Sequence, residues 1–568
     1  MSKYILGIWD GHDSGAAVIK GDRVLAAINE ERLTRRKLEI KFPEESIKAC
    51  LNYLNITPED IDTVAVSTFD FSKTLARLFP YMKEEYYLIR RRKKSPGMLS
   101  NFKKKAKYMM TEIGCNALTK YMSEKSIRAS LNRIGFGKCR VYLVDHHLCH
   151  AVAAAFCSGF DKCLVITIDG IGDGLSGTVS TLEQGKLSRI AAISGKHSIG
   201  IFFEHVTNLM NMRELEDEGK VMALANYAYP IPDSENPLLD FIRVEGLQIK
   251  CFHNSLRMYS ELKKILWKYP SEQFAFMAQR TLENRICELV KNSISETGLN
   301  RVALAGGVFS NIKVNMHIRM LPEVKDCFIF PHMGDGGLAL GSAFFLNYDL
   351  NGVTSYPLDD VYWGHDFSDE EILSAIKSGG LKYKYCENIE DETARLISRG
   401  HIVFWFQGRM EYGPRALGNR SILALPDSLK IKDMLNLRLK MRVWYQPFCP
   451  SMLEDEAKVY LENFDGLSNP FMTMGYMVME EREKEIEGVI SVDGSCRPQI
   501  TTTHEPRYKK LLEEVRKLTG KGVILNTSFN IHGDPLVCSP QDAVSTLKKT
   551  GNDYLVMGNY LVTTREMK

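Results

Sequence analysis

The chain has 568 residues, 44% of them apolar and 25% charged, and a formal net charge of +3. That length exceeds a single hydrophobic core, the small net charge argues against a general nucleic-acid binder, and no apolar run reaches the roughly 18 residues of a membrane span. The 13 cysteines are scattered without a C-x-x-C pair, which excludes zinc ribbons and a secreted disulfide framework. Free thiols and a start that lacks a signal-peptide layout point to the cytoplasm.

Tyr4–Trp9 reads as a short strand, followed by the polar turn Asp10–Gly15, the strand Ala16–Lys20, a Gly21-Asp22 turn and the strand Val24–Ile28. The same order of parts returns about 160 residues later: Leu164–Ile168, the turn Asp169–Gly177, Thr178–Thr181, a turn at Gly185 and Leu187–Ile193. Each long turn opens on Asp-Gly or Asp-Gly-like polarity and closes on Ser-Gly, so an internal duplication is expected. Glycine turns of this kind let backbone N–H groups approach a phosphate. Two such hairpins facing one cleft predict an α/β fold of the actin, Hsp70 and sugar-kinase type.

Between the repeats, Glu30–Arg36 is a charged segment, 44–55 reads as a helix and Thr63–Ser67 as a strand. Lys83–Arg128 carries 13 Lys/Arg against 4 Asp/Glu. It is expected to be a helical insertion, either a solvated face or a surface for RNA or an acidic partner. The strand Arg140–Val144 then leads into His146 and His150, whose spacing places both on one helical face. His147 points about 100° away and reads as a core or supporting group. A third ligand is expected from Asp335, in the Gly-rich loop 331–337 before the helical run Leu338–Leu346. Two histidines and a carboxylate suit Fe(II) or another divalent ion, zinc included.

Lys220 follows a glycine at the start of an apolar helical run, and is either a phosphate contact or a surface lysine. The strand Val302–Leu304 runs into Ala305-Gly306-Gly307-Val308-Phe309-Ser310-Asn311. Strand, Gly-Gly and helix start make a place for a nucleotide. Near Asn351–Pro357 a linker is expected, dividing the chain into domains at 1–352 and 358–568. The second part opens with the helix Asp391–Ser398 and the strand His401–Phe406. Arg409, Arg415 and Arg420 then stand among glycines in GRMEYGPRALGNRS. Lys440 and Arg442, the 446–451 run QPFCPS, Arg497, and the strand Val523–Leu525 with its NTSFNIHGDP sequel follow. Guanidinium groups read phosphates bidentately. These groups are expected to converge on a ligand with several phosphates, the competing reading being a basic face for RNA.

GRMEYGPRALGNRS, NTSFNIHGDPLVCSP, VDHHLCH with its Asp-Gly turn, and LAGGVFSN resemble, in this order and over nearly the whole chain, the NodU/CmcH family of O-carbamoyltransferases. The resemblance implies an ATPase-fold N-terminal domain similar to the subunit that makes threonylcarbamoyladenosine in tRNA. It also implies an α+β YrdC-like C-terminal domain that forms carbamoyladenylate from carbamoyl phosphate and Mg-ATP. The N-terminal domain would pass the carbamoyl group to a hydroxyl of a small acceptor. Carried over by position, His146, His150 and Asp335 are the metal ligands, iron in the family. Asp169, Gly170, Lys220, Gly306, Gly307 and Asn311 are the adenylate contacts. Asp10 and His12 lie at the acceptor, with His12 as general base. Arg415, Lys440, Arg442, Gln446, Arg497, Ser528, Asn530 and His532 form the ATP and carbamoyl phosphate site. Gln446 and His532 stand where some members have Arg, and Ala223 where a glycine is common. The alternatives are a tRNA threonylcarbamoyl-type enzyme, a hydrogenase-maturation carbamoyltransferase, which the missing C-x-x-C pairs disfavour, or a non-catalytic nucleotide-dependent regulator. An oligomer is compatible with all of them.

Overall fold

The computed structural model describes residues 4–97, 110–111, 113–464, 466 and 469–564. Of the basic block expected at 83–128, residues 98–109 and 112 lie outside the described residues. The chain divides into two compact units. Unit 1 takes the chain up to Glu30 and then Leu38–Leu358; unit 2 takes Glu31–Lys37 and the chain from Asp359 onward.

Unit 1 is built on two five-stranded sheets. The first comprises β1 (Tyr4–Trp9), β2 (Gly15–Lys20), β3 (Arg23–Asn29), β4 (Ile61–Ser67) and β5 (Arg140–Val144), ordered β3-β2-β1-β4-β5. The second comprises β6 (Cys163–Gly172), β7 (Leu175–Glu183), β8 (Lys186–Ser194), β11 (Arg301–Ala305) and β12 (Asp326–Ile329), ordered β8-β7-β6-β11-β12. A separate hairpin holds β9 (Ile242–Glu245) and β10 (Gln248–Cys251). In both sheets the first three strands are antiparallel neighbours, and the last two run parallel to the first of them. The repeat of strand order and direction is the duplicated actin and sugar-kinase architecture that the two hairpins predict.

The helix His146–Cys157, HHLCHAVAAAFC, is buried at 11 of its residues. A helix apolar all round has no solvent face, and this one packs against the helix Leu338–Asn351 and against β6, β7 and β11. Its position is fixed on all sides, which makes it a rigid carrier for side chains near its N-terminus.

Unit 2 has an eight-stranded mixed sheet ordered β13-β22-β21-β14-β15-β20-β16-β19. Its strands are β13 (Lys382–Tyr385), β14 (Val403–Phe406), β15 (Arg420–Ala424), β16 (Cys449–Met452), β19 (Gln499–Ile500), β20 (Val523–Ser528), β21 (Tyr554–Met557) and β22 (Tyr560–Thr563). A two-stranded ribbon joins β17 (Tyr476–Met477) to β18 (Ser495–Cys496). Trp405, Leu423, Ile524 and Val556 from the sheet pack on Ile397, Leu511 and Val515 from the helices Ile389–Ser398 and Pro506–Thr519. Among the described residues no helix is long and apolar enough to cross a membrane.

Candidate functional site

In unit 1 the chain leaves β5 and Asp145 caps the next helix by accepting from the Leu148 N–H at 2.8 Å. One turn then aligns His146 and His150, with ring centroids 4.9 Å apart. Their Nε2 atoms lie 3.3 and 3.2 Å from Asp169 Oδ2, and each lies 3.6 Å from Asp335 Oδ1. One donor atom from each of the four residues falls within 4.8 Å of all the others. Asp169, expected as an adenylate contact, is therefore a fourth member of the histidine cluster. The sequence could not show this: β6 carries Asp169 to the helix face through strand pairing, which leaves no periodic trace. Burial works against a charged His146 ring, yet Asp335 and Asp169 push it up to about 9. The cluster attracts positive charge, as a cation site does.

Two residues that sequence reasoning missed hold this cluster. Thr68 Oγ1 sits 3.0 Å from His146 Nδ1, which leaves Nε2 facing the carboxylates. Thr68 has φ 69, an unusual conformation for a β-branched residue. Asp173 Oδ2 accepts from the His146 N–H at 2.8 Å, while its Oδ1 accepts from the Phe69 and Asp70 N–H groups at 2.9 Å. A Cβ on Gly172 would lie 2.2 Å from the His146 ring, so only glycine leaves room for it. His147 turns away, with Nδ1 2.9 Å from Thr167 Oγ1 and Nε2 3.1 Å from the Leu175 carbonyl, and is a supporting group as its angle predicts.

His12 reaches the same cluster: its Nε2 is 3.6 Å from Asp335 Oδ2, and its side chain keeps 23% of its exposure. Asp10 does not resemble a base. Arg77 donates to both of its oxygens, at 2.8 and 3.0 Å, and Lys73 pairs with it at 2.8 Å. Burial opposes its charge, but Arg77 and Lys73 hold the carboxyl well below the usual range. Asp10 thus anchors two cations beside His12. The helix Pro80–Arg90 lies over this region, with Tyr87 5.4 Å from the His12 ring and Lys83 bonded to the Asp10 carbonyl. Arg90 pairs with Glu204 and Glu214, and Arg91, only 3% exposed, pairs with Glu216 at 2.5 Å. Within the described part of the basic block the charges of Arg90 and Arg91 are matched internally, while Arg92, Lys93, Lys94, Lys120 and Lys125 are exposed.

Of the remaining adenylate contacts, Gly306 and Gly307 stand beside Asp169. Gly306 has φ 106, and a Cβ there would lie 2.2 Å from the Ile168 carbonyl oxygen. The Gly170 N–H donates to Asp169 Oδ1 at 2.7 Å. Lys220 pairs with Asp217 at 2.8 Å. Asn311 has its Oδ1 engaged by Gln279 and by the Lys313 and Val314 N–H groups, and its Nδ2 by Gln279. It caps the helix Ile312–Arg319.

Unit 2 gathers a different kind of cluster. Lys440 follows a π-helical turn, Leu435–Leu439, and is only 3% exposed. Its Nζ donates to the Ser528 carbonyl at 2.5 Å, Ser528 Oγ at 3.1 Å, the Asn530 carbonyl at 3.1 Å and Asn530 Oδ1 at 2.6 Å. Burial first, then the charges of Arg442 and Lys37, press the amine well below its usual range. Arg442 donates to Asn436 Oδ1 and the Pro447 carbonyl and lies over the Phe448 ring. Arg497 donates from Nε and Nη2 to Cys449 Sγ at 3.1 and 2.9 Å. Burial and Arg497 bring Arg415 down to about 9. All these partners are neutral. The His532 N–H donates to the Lys440 carbonyl, and Gln446 contributes its carbonyl to Asn436. Arg409 and Arg420, expected among phosphate contacts, instead grip the carbonyls of Trp363, Gly364, Gly408 and Asn419 and hold the glycine loop in shape.

A family model described as the carbamoyltransferase N-terminus matches residues 4–344, and one described as the carbamoyltransferase C-terminus matches residues 394–564. An uncharacterized protein of Methanocaldococcus jannaschii is 32% identical, over 98% of this chain and 99% of its own length. The nodulation protein NolNO of Sinorhizobium fredii is 31% identical, over 98% of this chain and 79% of its own. The 3'-hydroxymethylcephem-O-carbamoyltransferase of Streptomyces clavuligerus is 29% identical, over 58% of this chain and 61% of its own.

Proposed function

Because the chain belongs to the carbamoyltransferase family and is an enzyme of that class, we propose that it is an ATP- and carbamoyl-phosphate-dependent O-carbamoyltransferase with its two reactions divided between its units. The observation that carries the reading is the set of cations in unit 2, buried Lys440 with half-buried Arg442 and Arg497, whose hydrogen-bond partners are all neutral. Burying a charge without a counter-charge is costly, and an anion with several oxygens relieves that cost. Carbamoyl phosphate and Mg-ATP supply such oxygens. In the proposed first reaction, water releases phosphate from carbamoyl phosphate. A carbamate oxygen then attacks the α-phosphate of ATP, pyrophosphate leaves, and carbamoyladenylate forms. Lys440, Arg442, Arg415 and Arg497 neutralise the phosphate charge as it develops.

In unit 1 the acceptor hydroxyl attacks the carbamoyl carbon, His12 takes its proton, and AMP leaves. Gly306, Gly307 and Gly170 present backbone toward the adenylate, and Lys220 is placed for its phosphate. The cluster of two imidazoles and two carboxylates fits a divalent metal, because its imidazoles are buried, its four donors converge, and His146 is oriented from behind by Thr68. His146, His150, Asp169 and Asp335 would hold it, with Fe(II) favoured by the donor set. When bound, such an ion supplies a Lewis acid near the carbamoyl oxygen. The acceptor is a small molecule with a hydroxyl, as the hydroxymethyl group in the name of the Streptomyces relative illustrates.

The test is incubation of the full chain with carbamoyl phosphate, ATP and a panel of alcohols, sugars and nucleosides, read by mass spectrometry. A gain of about 43 Da, that of HNCO, on one acceptor is expected. Absence of carbamoyl-phosphate-dependent ATP–pyrophosphate exchange would sink the reading in favour of a nucleotide-dependent regulator.

A further inference from the structure

Glu31–Lys37 belongs in sequence to the region matched by the N-terminal family model, yet it is part of unit 2. The chain leaves unit 1 after Glu30, makes this excursion of seven residues, and returns at Leu38. Its contacts are specific. Arg32, 7% exposed, donates from Nη2 to the Gly413 carbonyl at 2.9 Å and is flanked by Glu31 at 3.1 Å. Arg35 donates to the Leu536 carbonyl at 2.5 Å and the Pro535 carbonyl at 2.9 Å, and its Nε lies 3.4 Å from Asp542. The Arg35 N–H bonds back to the Glu31 carbonyl at 3.0 Å, and Arg35 takes φ 59, so the segment is held in a tight turn.

Of the two loops it grips, one carries Arg415 and the other leads on from Ser528 and Asn530, the partners of Lys440. Gly413 precedes Arg415 by two residues, and has φ 128, so its peptide orientation sets where the loop goes next. Pro535 and Leu536 end the stretch in which Ser528 and Asn530 meet Lys440. Asn530 Nδ2 donates to the Asp534 carbonyl at 2.7 Å, one residue from the first carbonyl that Arg35 holds.

We propose that Glu31–Lys37 is a strap that completes the anion site of unit 2, with Arg32 and Arg35 as positioning residues for two of its loops. A guanidinium fork suits this task because it satisfies two adjacent carbonyls at once, which an ammonium cannot do with the same rigidity. The chemistry recognised is a phosphate or phosphoanhydride; its naming as carbamoyl phosphate and ATP rests on the function proposed above.

The experiment uses the full chain and three variants, Arg35→Ala, Arg35→Lys and Arg32→Lys. ATP binding is read by equilibrium dialysis, and carbamoyl-phosphate-dependent ATP–pyrophosphate exchange is read as KM against kcat. Arg35→Ala is expected to weaken ATP binding and raise the KM for carbamoyl phosphate by roughly tenfold, the worth of hydrogen bonds from a charged donor. Arg35→Lys should recover part of the loss, and Arg32→Lys, which loosens the hold on the Gly413 carbonyl, should raise KM more than it lowers kcat. Unchanged ATP affinity and KM in both Arg35→Ala and Arg32→Lys overturn the strap. Should Arg35→Ala fail to fold, Arg32→Lys decides alone, parent-like binding overturning the proposal. If the parent chain binds ATP but shows no exchange, the carbamoyladenylate reading falls while the strap is still judged on ATP affinity.

Discussion

The two charged clusters of the molecule are opposites. In unit 1, acids and histidines converge, and the cations around them are already matched: Arg77 and Lys73 with Asp10, Arg90 with Glu204 and Glu214, Arg91 with Glu216. In unit 2, cations converge on hydroxyl, amide, carbonyl and thiol partners that carry no full charge. A cluster that has settled its cations and gathered its anions suits a positive ligand; one that has set its cations among neutral groups suits a negative ligand. On the function proposed above, the contrast implies two separable chemistries, each of which can be broken without the other.

The largest expected separation comes from metal removal. Dialysis against a chelator should abolish carbamoyl transfer to the acceptor and leave ATP–pyrophosphate exchange at its original rate, both measured on the same sample. Parallel loss of the two activities would erase the distinction between the clusters. The converse break is Lys440→Ala. Removing a preorganised positive donor typically costs roughly 10²–10³ in rate, so exchange should fall by that order while the metal content of the chain, read by elemental analysis, is unchanged. Loss of metal in this variant would show that the clusters depend on one another.

The contrast was only half legible in the sequence. The duplication of unit 1 was readable because strand period and Asp-Gly turns are local, and both sheets follow it. His146 and His150 were readable because helical spacing alone sets their common face. Asp169 was not, since its place beside them depends on how β6 pairs with β7 and β11. The ion pairs inside the basic block were hidden for a related reason. Arg90 and Arg91 find their acids at Glu204, Glu214 and Glu216, more than a hundred residues further on, and a charge count over a window sees only one side of each pair. Arg409 and Arg420 look like phosphate ligands in sequence, but Arg409 reaches the Trp363 and Gly364 carbonyls of a preceding segment and Arg420 the loop's own Gly408 and Asn419 carbonyls. The strap is invisible altogether, because nothing in EERLTRR marks a change of unit.

A finer test of the unit 1 cluster lies in Thr68. Thr68→Val keeps the branched shape and removes the Oγ1 that faces His146 Nδ1. Partners of this kind are worth about 10–100-fold in metal affinity, so the variant should bind the divalent ion that much more weakly in a competition titration, and Thr68→Ser should bind nearly as the parent chain does. Equal affinities in all three would mean that the burial of the ring alone fixes its tautomer and direction.

The smallest expected effect probes the unit 2 cluster from the side of its neutral partners. Cys449 lies on β16 and accepts both inner N–H groups of Arg497, within the field of Arg415 and Arg442. Sulfur is a weak acceptor, whereas phosphate oxygens form short charge-assisted bonds to a guanidinium. An arriving anion therefore displaces the thiol from the fork. Cys449→Ala removes the competitor and leaves Arg497 less satisfied in the ligand-free chain, so the ligand gains what the thiol no longer holds. A neutral hydrogen bond is worth about 0.5–1.5 kcal/mol net, so the KM for carbamoyl phosphate should drop by roughly two- to tenfold with kcat little changed. A rise in KM would reverse the argument: the thiol would then be a contact of the ligand itself, and the fork of Arg497 would keep its sulfur partner throughout turnover.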